Sequence, residues 1–163
     1  MVVGNVPDAA DFIVVGAGPG GYHAALEAAR AGRKVMLIDA DGDQGVGGVC
    51  LRVGCIPSKA LIEASELDHR ARTGHALGLP VVDGRFDLAR FQAWKSGIIE
   101  ELTGGVRALL EGAGVEIVAG RATLTDANVL VVNTPDNQAR FLQFKSLVLA
   151  TGSRPTPLPG LDI

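Results

Sequence analysis

The period of the apolar positions separates strands from helices along this chain. DFIVVGAG (11–18) is a short continuous apolar run ending on glycines, the pattern of a fully buried strand. GGYHAALEAARA (20–31) is rich in alanine and other helix formers, and Gly32 follows as a stop signal. KVMLID (34–39) is a second buried strand, so strand, glycine turn, helix and strand follow one another as a βαβ unit. DGDQGVGG (41–48) reads as a glycine-rich loop, and the pattern is helical from about Cys50 to Thr73. Residues 73–85 read as a loop with a short extended piece. A long helix is expected over 86–114, with Asp87 as N-cap and Gly112–Gly114 as the stop. Its Gly104–Gly105 pair predicts a weak or bent point unless something packs closely there.

Beyond that helix the period shortens to strands. VEIVAG (115–120) is a third strand, and RATLTDANVLVVN (121–133) is a hairpin turning near Asp126–Asn128. TPDNQARFLQF adds a turn and a strand, and SLVLATG (146–152) is a last buried strand ending in glycine. The order predicts an α/β fold in which a β-meander is inserted between the third strand and the last. Residues 1–10 read as a flexible leader, 11–152 as one domain, and 153–163 as the start of a proline-rich linker.

Composition narrows the classes. With 163 residues, 47% hydrophobic and 20% charged, the chain can bury one sizeable core. A net charge of −3 with no dense Lys/Arg cluster argues against a nucleic-acid partner. No apolar run is long enough to predict a membrane helix. The leader lacks a basic segment followed by an apolar stretch, so no secretory signal is expected and the localisation reading is cytoplasmic.

Gly16, Gly18 and Gly21 form GxGxxG inside GAGPGG. The first glycine allows a tight turn, the second lets backbone approach a pyrophosphate, and the third lets the helix pack on the strand. A strand precedes the motif, a helix follows it, and an acid, Asp39, stands at the end of the next strand. A carboxylate there is placed to accept from a ribose diol and would repel a 2′-phosphate. The plainer alternative is a glycine turn that binds nothing, with Asp39 a solvated strand end.

The only two cysteines, Cys50 and Cys55, both lie in GGVCLRVGCIPSKAL (47–61). On a regular helix, positions five apart sit about 140° apart around the axis and ~7.5 Å along it. That is beyond the ~7 Å Cα separation a disulfide tolerates. Either the pair is unbridged or the backbone departs from a helix between them. Gly54 and Pro57 supply means for a distorted first turn. A bridge closing so short a loop stabilises by only roughly 2 kcal/mol. A redox pair at a helix N-terminus, with Lys59 adding positive charge, is the better explanation; structural or free cysteines remain open. Metal binding fits poorly, because the only histidines, His23, His69 and His75, are scattered.

Taken together, GAGPGGYHAA, Asp39, GGVCLRVGCIPSKAL and ATGSRP resemble, in order and spacing, the N-terminal flavin half of the pyridine nucleotide–disulfide oxidoreductases. The forms CIPSKAL and WKSGIIEELTGG are most similar to the dihydrolipoamide dehydrogenases of that family. Mercuric and glutathione reductases carry related cysteine motifs. The resemblance implies a Rossmann-like FAD-binding domain. FAD would lie by its ADP half on Gly16, Gly18, Pro19, Gly20 and Gly21, with Asp39 and Ala40 beside the ribose. Gly47, Gly48 and Val49 would line its pyrophosphate and ribityl side, and Lys59 would sit near the reactive ring nitrogen. Gly120 would contact the adenine region. Ala150, Thr151 and Gly152 would approach the cofactor at the end of the last strand.

By the same resemblance Cys50 and Cys55 form a redox-active disulfide. Cys50 is the interchange thiol toward substrate, and Cys55 faces the flavin. Electrons would run from dihydrolipoamide, or the lipoyl domain of a 2-oxo acid dehydrogenase complex, through the pair and FAD to NAD⁺. The family continues into an NAD-binding domain and a dimerisation domain, whose His–Glu acid–base pair serves the partner subunit of a homodimer. None of these features stands in this sequence. The expectation is therefore a fragment of a longer enzyme, holding FAD weakly or not at all and inactive alone. Asp39 stands where the family usually has glutamate, and Arg52 where it commonly has asparagine. The alternatives kept open are a mercuric or glutathione reductase-like enzyme and a non-catalytic nucleotide-binding redox sensor. His23, Tyr22 and Trp94 read as packing residues.

Overall fold

The computed structural model describes residues 7–78, 80, 84–153, 156 and 160. Strand β1 (Asp8–Val15), helix α1 (Pro19–Arg30) and strand β2 (Val35–Asp39) form the expected βαβ unit, with β1 and β2 parallel. A single 3₁₀ turn (Gly42–Gly45) follows, then helices α2 (Gly48–Arg52), α3 (Cys55–Thr73) and α4 (Leu88–Gly112). Strands β3 (Glu116–Ala119), β4 (Arg121–Asp126), β5 (Val129–Asn133) and β6 (Ala139–Leu149) complete the described chain.

All six strands share one sheet in the order β3-β2-β1-β6-β5-β4. The first four are parallel, and β5 and β4 extend the sheet antiparallel from β6. Successive residues of β1 and β2 serve opposite faces, as the pleat demands. Ile13, Met36 and Ile38 join Leu130, Val132, Leu142 and Phe144 on one side. Val14, Val35 and Leu37 join Ala25 and Leu26 of α1 and Leu110 of α4 on the other. Helices thus cover one face. The β4–β5 hairpin curls back until β4 touches β2, and it helps cover the other.

Three elements differ from the sequence expectation. Strand β1 starts at Asp8 rather than 11, because Asp8, Ala9 and Ala10 pair with Leu142, Gln143 and Phe144. The two strands expected over 139–149 are one, β6, which pairs with β5 along one edge and β1 along the other. The helical stretch from Cys50 breaks at Val53–Gly54 into α2 and α3. Helix α4 begins on its predicted cap, with Asp87 Oδ1 accepting from the Arg90 N–H at 3.0 Å. It runs unbroken through Gly104–Gly105, where an added Cβ would meet nothing within 4 Å. The extended piece expected within 73–85 and most of the linker over 153–163 fall outside the described residues.

Helix α3 buries only Ala60 and leaves Leu61, Ile62 and Leu67 exposed. Trp94, expected to pack, is 53% exposed, with its ring 5.9 Å from Phe91. His23 is also exposed and lies against Tyr22, with ring centroids 4.6 Å apart.

One charged cluster ties the N-terminal ends of the parallel strands. Arg140 of β6 donates to Asp8 of β1 at 2.7 Å and to Glu116 of β3 at 3.0 and 3.1 Å. The two carboxylates hold the Arg140 guanidinium above its ordinary pKa, Asp8 contributing most through its hydrogen bond. The groups are about half exposed, so solvent screening keeps the contribution small. Arg140→Ala is expected to cost about 1 kcal/mol in urea unfolding at low salt and less at 1 M salt. An equal loss at both salt concentrations would mean that packing, not charge, holds the cluster.

Candidate functional site

The four parallel strands end at one edge, and the residues just past those ends form a cleft. Val15 ends β1 and Gly16 follows it, Asp39 ends β2 and Ala40 follows it, Gly120–Ala122 follow β3, and Thr151 follows β6; together with Ile38 they enclose ≈ 240 Å³. Open parallel sheets bind ligands outside the carboxyl ends of their strands. The volume is below the roughly 300–1,000 Å³ of a complete small-molecule pocket, so it suits one portion of a longer ligand.

Close backbone approach explains the glycines here. Gly16 has φ +104°, and a Cβ on it would lie 2.2 Å from the Ala150 carbonyl oxygen. A Cβ on Gly21 would lie 1.7 Å from the Gly16 carbonyl oxygen, so α1 can seat on the turn only with glycine there. Pro19 opens α1, whose N-cap, Gly18, gives no side-chain hydrogen bond. The first-turn amides of α1 therefore lack a side-chain cap, the condition under which a helix end takes an anion.

The two sequence motifs, some thirty residues apart, meet here. The Gly47 N–H donates to the Ala17 carbonyl at 2.9 Å. Gly48, at φ +54°, packs so closely that a Cβ would fall 2.6 Å from the Gly18 Cα. The phosphate-type loop and the loop leading to the cysteines are thus held as one surface. Helix α2 carries Cys50. The chain then turns at Gly54, whose N–H donates to the Val49 carbonyl at 2.7 Å, and α3 starts at Cys55. Pro57 sits in the first turn of α3, where its missing N–H leaves no bond unmade. The break moves the two sulfurs out of the helical geometry that keeps residues five apart from meeting.

Both cysteines are free thiols here, Cys50 half-buried and Cys55 exposed. The Cys50 thiol is pushed above its ordinary pKa, chiefly by its hydrogen bond with Cys55, then by burial and by the Cys55 charge; Lys59 pulls it down. The Cys50 thiolate therefore forms less readily than that of an ordinary cysteine in the dithiol state. A raised thiol pKa means that the thiolate appears only as pH climbs further. Removing Cys55 (Cys55→Ala) is expected to move the Cys50 alkylation profile to lower pH, and Lys59→Ala in the two-cysteine chain to move the profile to higher pH. Iodoacetamide labelling followed by mass spectrometry reads both, and shifts of the same sign would contradict this electrostatic account.

The expected residues divide clearly. Gly16, Asp39, Ala40, Gly120 and Thr151 line the cleft. Gly18, Gly47 and Gly48 join the two loops, and Ala150 lies beneath Gly16. Pro19 and Gly20 stand exposed at the start of α1. Val49 is 64% exposed, and Gly152 has nothing within 4 Å of an added Cβ. Asp39 departs from the ribose expectation in one respect. Its Oδ2 accepts from the Ala17 N–H at 2.8 Å and its Oδ1 from the Asp41 N–H at 3.0 Å. Sequence reasoning missed Ala17, the residue between the first two glycines, and Arg121 and Ala122, which follow Gly120 into the cleft. Their adjacency to motif glycines was the available signal. Among the described residues no group of three His, Cys, Asp or Glu is placed to hold a metal, and no helix is long and apolar enough to cross a membrane.

Comparison with known proteins agrees with this geometry. The dihydrolipoyl dehydrogenase of Geobacillus stearothermophilus is 46% identical over 159 residues, which is 98% of this chain and 33% of that protein. The Bacillus subtilis and Halobacterium salinarum dihydrolipoyl dehydrogenases are 44% and 43% identical, over 98% and 99% of this chain and 33% and 34% of their own length. The chain spans about a third of the length of these relatives. An HOCl-induced flavoprotein disulfide reductase from Escherichia coli shares the fold, with a TM-score of 0.76 at 20% identity over 93% of this chain and 30% of that one. A family model described as pyridine nucleotide-disulphide oxidoreductase matches residues 10–162, and this chain, with its glycine cradle set against a cysteine pair, belongs to that family.

Proposed function

We propose that this chain is the FAD- and disulfide-bearing part of a dihydrolipoamide dehydrogenase, which oxidises dihydrolipoamide with NAD⁺ when the longer enzyme is assembled. The supporting observation is the contact between the two motifs, Gly47 N–H on the Ala17 carbonyl and Gly48 on Gly18, which puts a dinucleotide cradle against a cysteine pair. The residues present suit FAD. Gly16 to Gly21 offer a side-chain-free approach and helix-end amides to the pyrophosphate. Asp39, Ala40, Gly120 and Thr151 line a cleft suited to the adenosine portion. When bound, FAD supplies a two-electron acceptor beside the cysteines.

The exchange at the cysteines follows from thiol chemistry. A thiolate of dihydrolipoamide attacks Cys50 of the Cys50–Cys55 disulfide, forming a mixed disulfide and releasing the Cys55 thiolate. The second substrate sulfur displaces Cys50, leaving cyclic lipoamide. Two electrons then rest on the cysteine sulfurs; one proton stays on Cys50 and one goes to solvent. The hydrogen bond that raises the Cys50 pKa supports Cys50 as the proton holder.

Titration of the chain with FAD to millimolar concentration, followed by amide resonances, tests the cofactor reading. Saturable shifts concentrated on Gly16–Gly21, Asp39 and Gly120 are expected, and a longer enzyme that carries no FAD would remove the FAD assignment. In the longer enzyme, NADH formation from dihydrolipoamide tests the substrate. A preference for glutathione or Hg(II) would replace dihydrolipoamide with the substrate of a related reductase.

A further inference from the structure

We infer that Asp39 is a positioning residue whose carboxylate braces the Gly16–Ala17 peptide, and so sets the phosphate-facing loop and, through residue Ala17, the loop that leads to the cysteine helix. A strand-end acid that served only a ribose would leave its oxygens to the ligand. Here each oxygen already accepts a backbone N–H, Ala17 on Oδ2 at 2.8 Å and Asp41 on Oδ1 at 3.0 Å. Ala17 is fully buried, so its amide has no access to water. An unpaired amide at that depth would be costly, and a charged acceptor is the stronger kind of partner.

Ala17 is held on both sides: its N–H donates to Asp39, and its carbonyl, in the next peptide unit, accepts from Gly47 of the second motif. Asp39 is itself fixed from two more sides. Its own carbonyl accepts from the Gly120 N–H at 2.9 Å. Gly45 presses on its carboxylate so closely that a Cβ there would lie 1.8 Å from Oδ1. Carboxylate oxygens have further lone pairs, so a ribose can still be accepted. The brace does not depend on it.

The effect on cofactor affinity rests on the FAD reading above; the brace itself does not, and two measurements separate them. On the cofactor-free chain, Asp39→Asn is expected to move the Ala17 amide proton upfield, with a smaller move at Gly47, while the urea midpoint is followed in parallel. An unmoved Ala17 resonance would overturn the brace. If Asp39→Asn does not fold, a through-hydrogen-bond coupling between the Ala17 nitrogen and the Asp39 carboxyl carbon in the unsubstituted chain decides instead, and its absence overturns the brace. Cofactor titration then compares FAD with an analogue lacking the adenosine ribose hydroxyls. Loss of the charged brace should weaken both to a similar extent, by roughly tenfold. A penalty that vanishes with the analogue would mean that Asp39 acts on the ribose alone. Should the unsubstituted chain take up no FAD, the affinity comparison is made in the longer enzyme, where a lack of FAD ends the cofactor reading, while the Ala17 resonance still decides the brace.

Discussion

Substituting Gly21 with alanine is expected to lower the unfolding free energy by more than about 3 kcal/mol. The new Cβ would sit 1.7 Å from the Gly16 carbonyl oxygen and 2.9 Å from its carbon. Both are backbone atoms, so no rotamer change relieves the overlap. Either α1 lifts off the turn or the turn moves, and the Gly16 turn is itself pressed against Ala150. A domain stabilised by roughly 5–15 kcal/mol would lose a large share of its margin. Gly104→Ala is the control. It sits in the middle of α4 with nothing within 4 Å of the new methyl, and it should gain up to about 1 kcal/mol from helix propensity. Urea unfolding of the two variants separates steric need from mere glycine content. A Gly21→Ala chain as stable as the unsubstituted one would contradict the packing described at the turn.

The second large effect concerns the cysteine pair. Mixed with oxidised glutathione, the reduced chain is expected to end with a Cys50–Cys55 disulfide. Two glutathione thiols are released, and the chain is lighter by two hydrogens. The first thiolate attacks a glutathione sulfur and forms a mixed disulfide; the neighbouring cysteine then displaces glutathione. The two thiols stand close enough for Cys55 to perturb Cys50, which keeps the second thiol near the site of attack, so the internal step outruns any bimolecular one. Cys50→Ser or Cys55→Ser removes that step. The single-cysteine chains should accumulate the glutathione adduct nearly stoichiometrically, against roughly one part in a hundred or less in the two-cysteine chain. Intact-mass measurement after an acid quench reads the difference. A two-cysteine chain that also stalls as the adduct would show that Gly54 and Pro57 do not bring the sulfurs within bonding reach.

Much of this arrangement was legible before any coordinates. The buried strands over 11–18, 34–39 and 115–120, the glycine turn between the first two and the Asp87 cap all carry local signals, and they formed within a few residues of expectation. Elements whose extent depends on a distant partner were not legible. Asp8–Ala10 look like a loose leader until β6 offers them a pairing edge. The two short strands of 139–149 become one because β5 and β1 hold opposite edges of the same run. Trp94 carries the residue type of a core position, yet the elements around it leave it half exposed.

The site divides in the same way. The sequence by itself determined which residue types are present and their local conformational needs: a tight glycine turn from Gly16, a glycine-rich loop through Gly48, a helix start tolerant of Pro57, and two cysteines with means to leave helical spacing. These are constraints of single residues and short stretches, so they are readable one window at a time. Only the tertiary structure decided that Gly48 rests on Gly18, that Ala17 links Gly47 to Asp39, and that Cys55 raises the Cys50 pKa. Those contacts depend on how α1 and α2 dock at the carboxyl edge of the sheet. Close packing settles such docking to fractions of an ångström, whereas local propensity sets only the kind of element that arrives there.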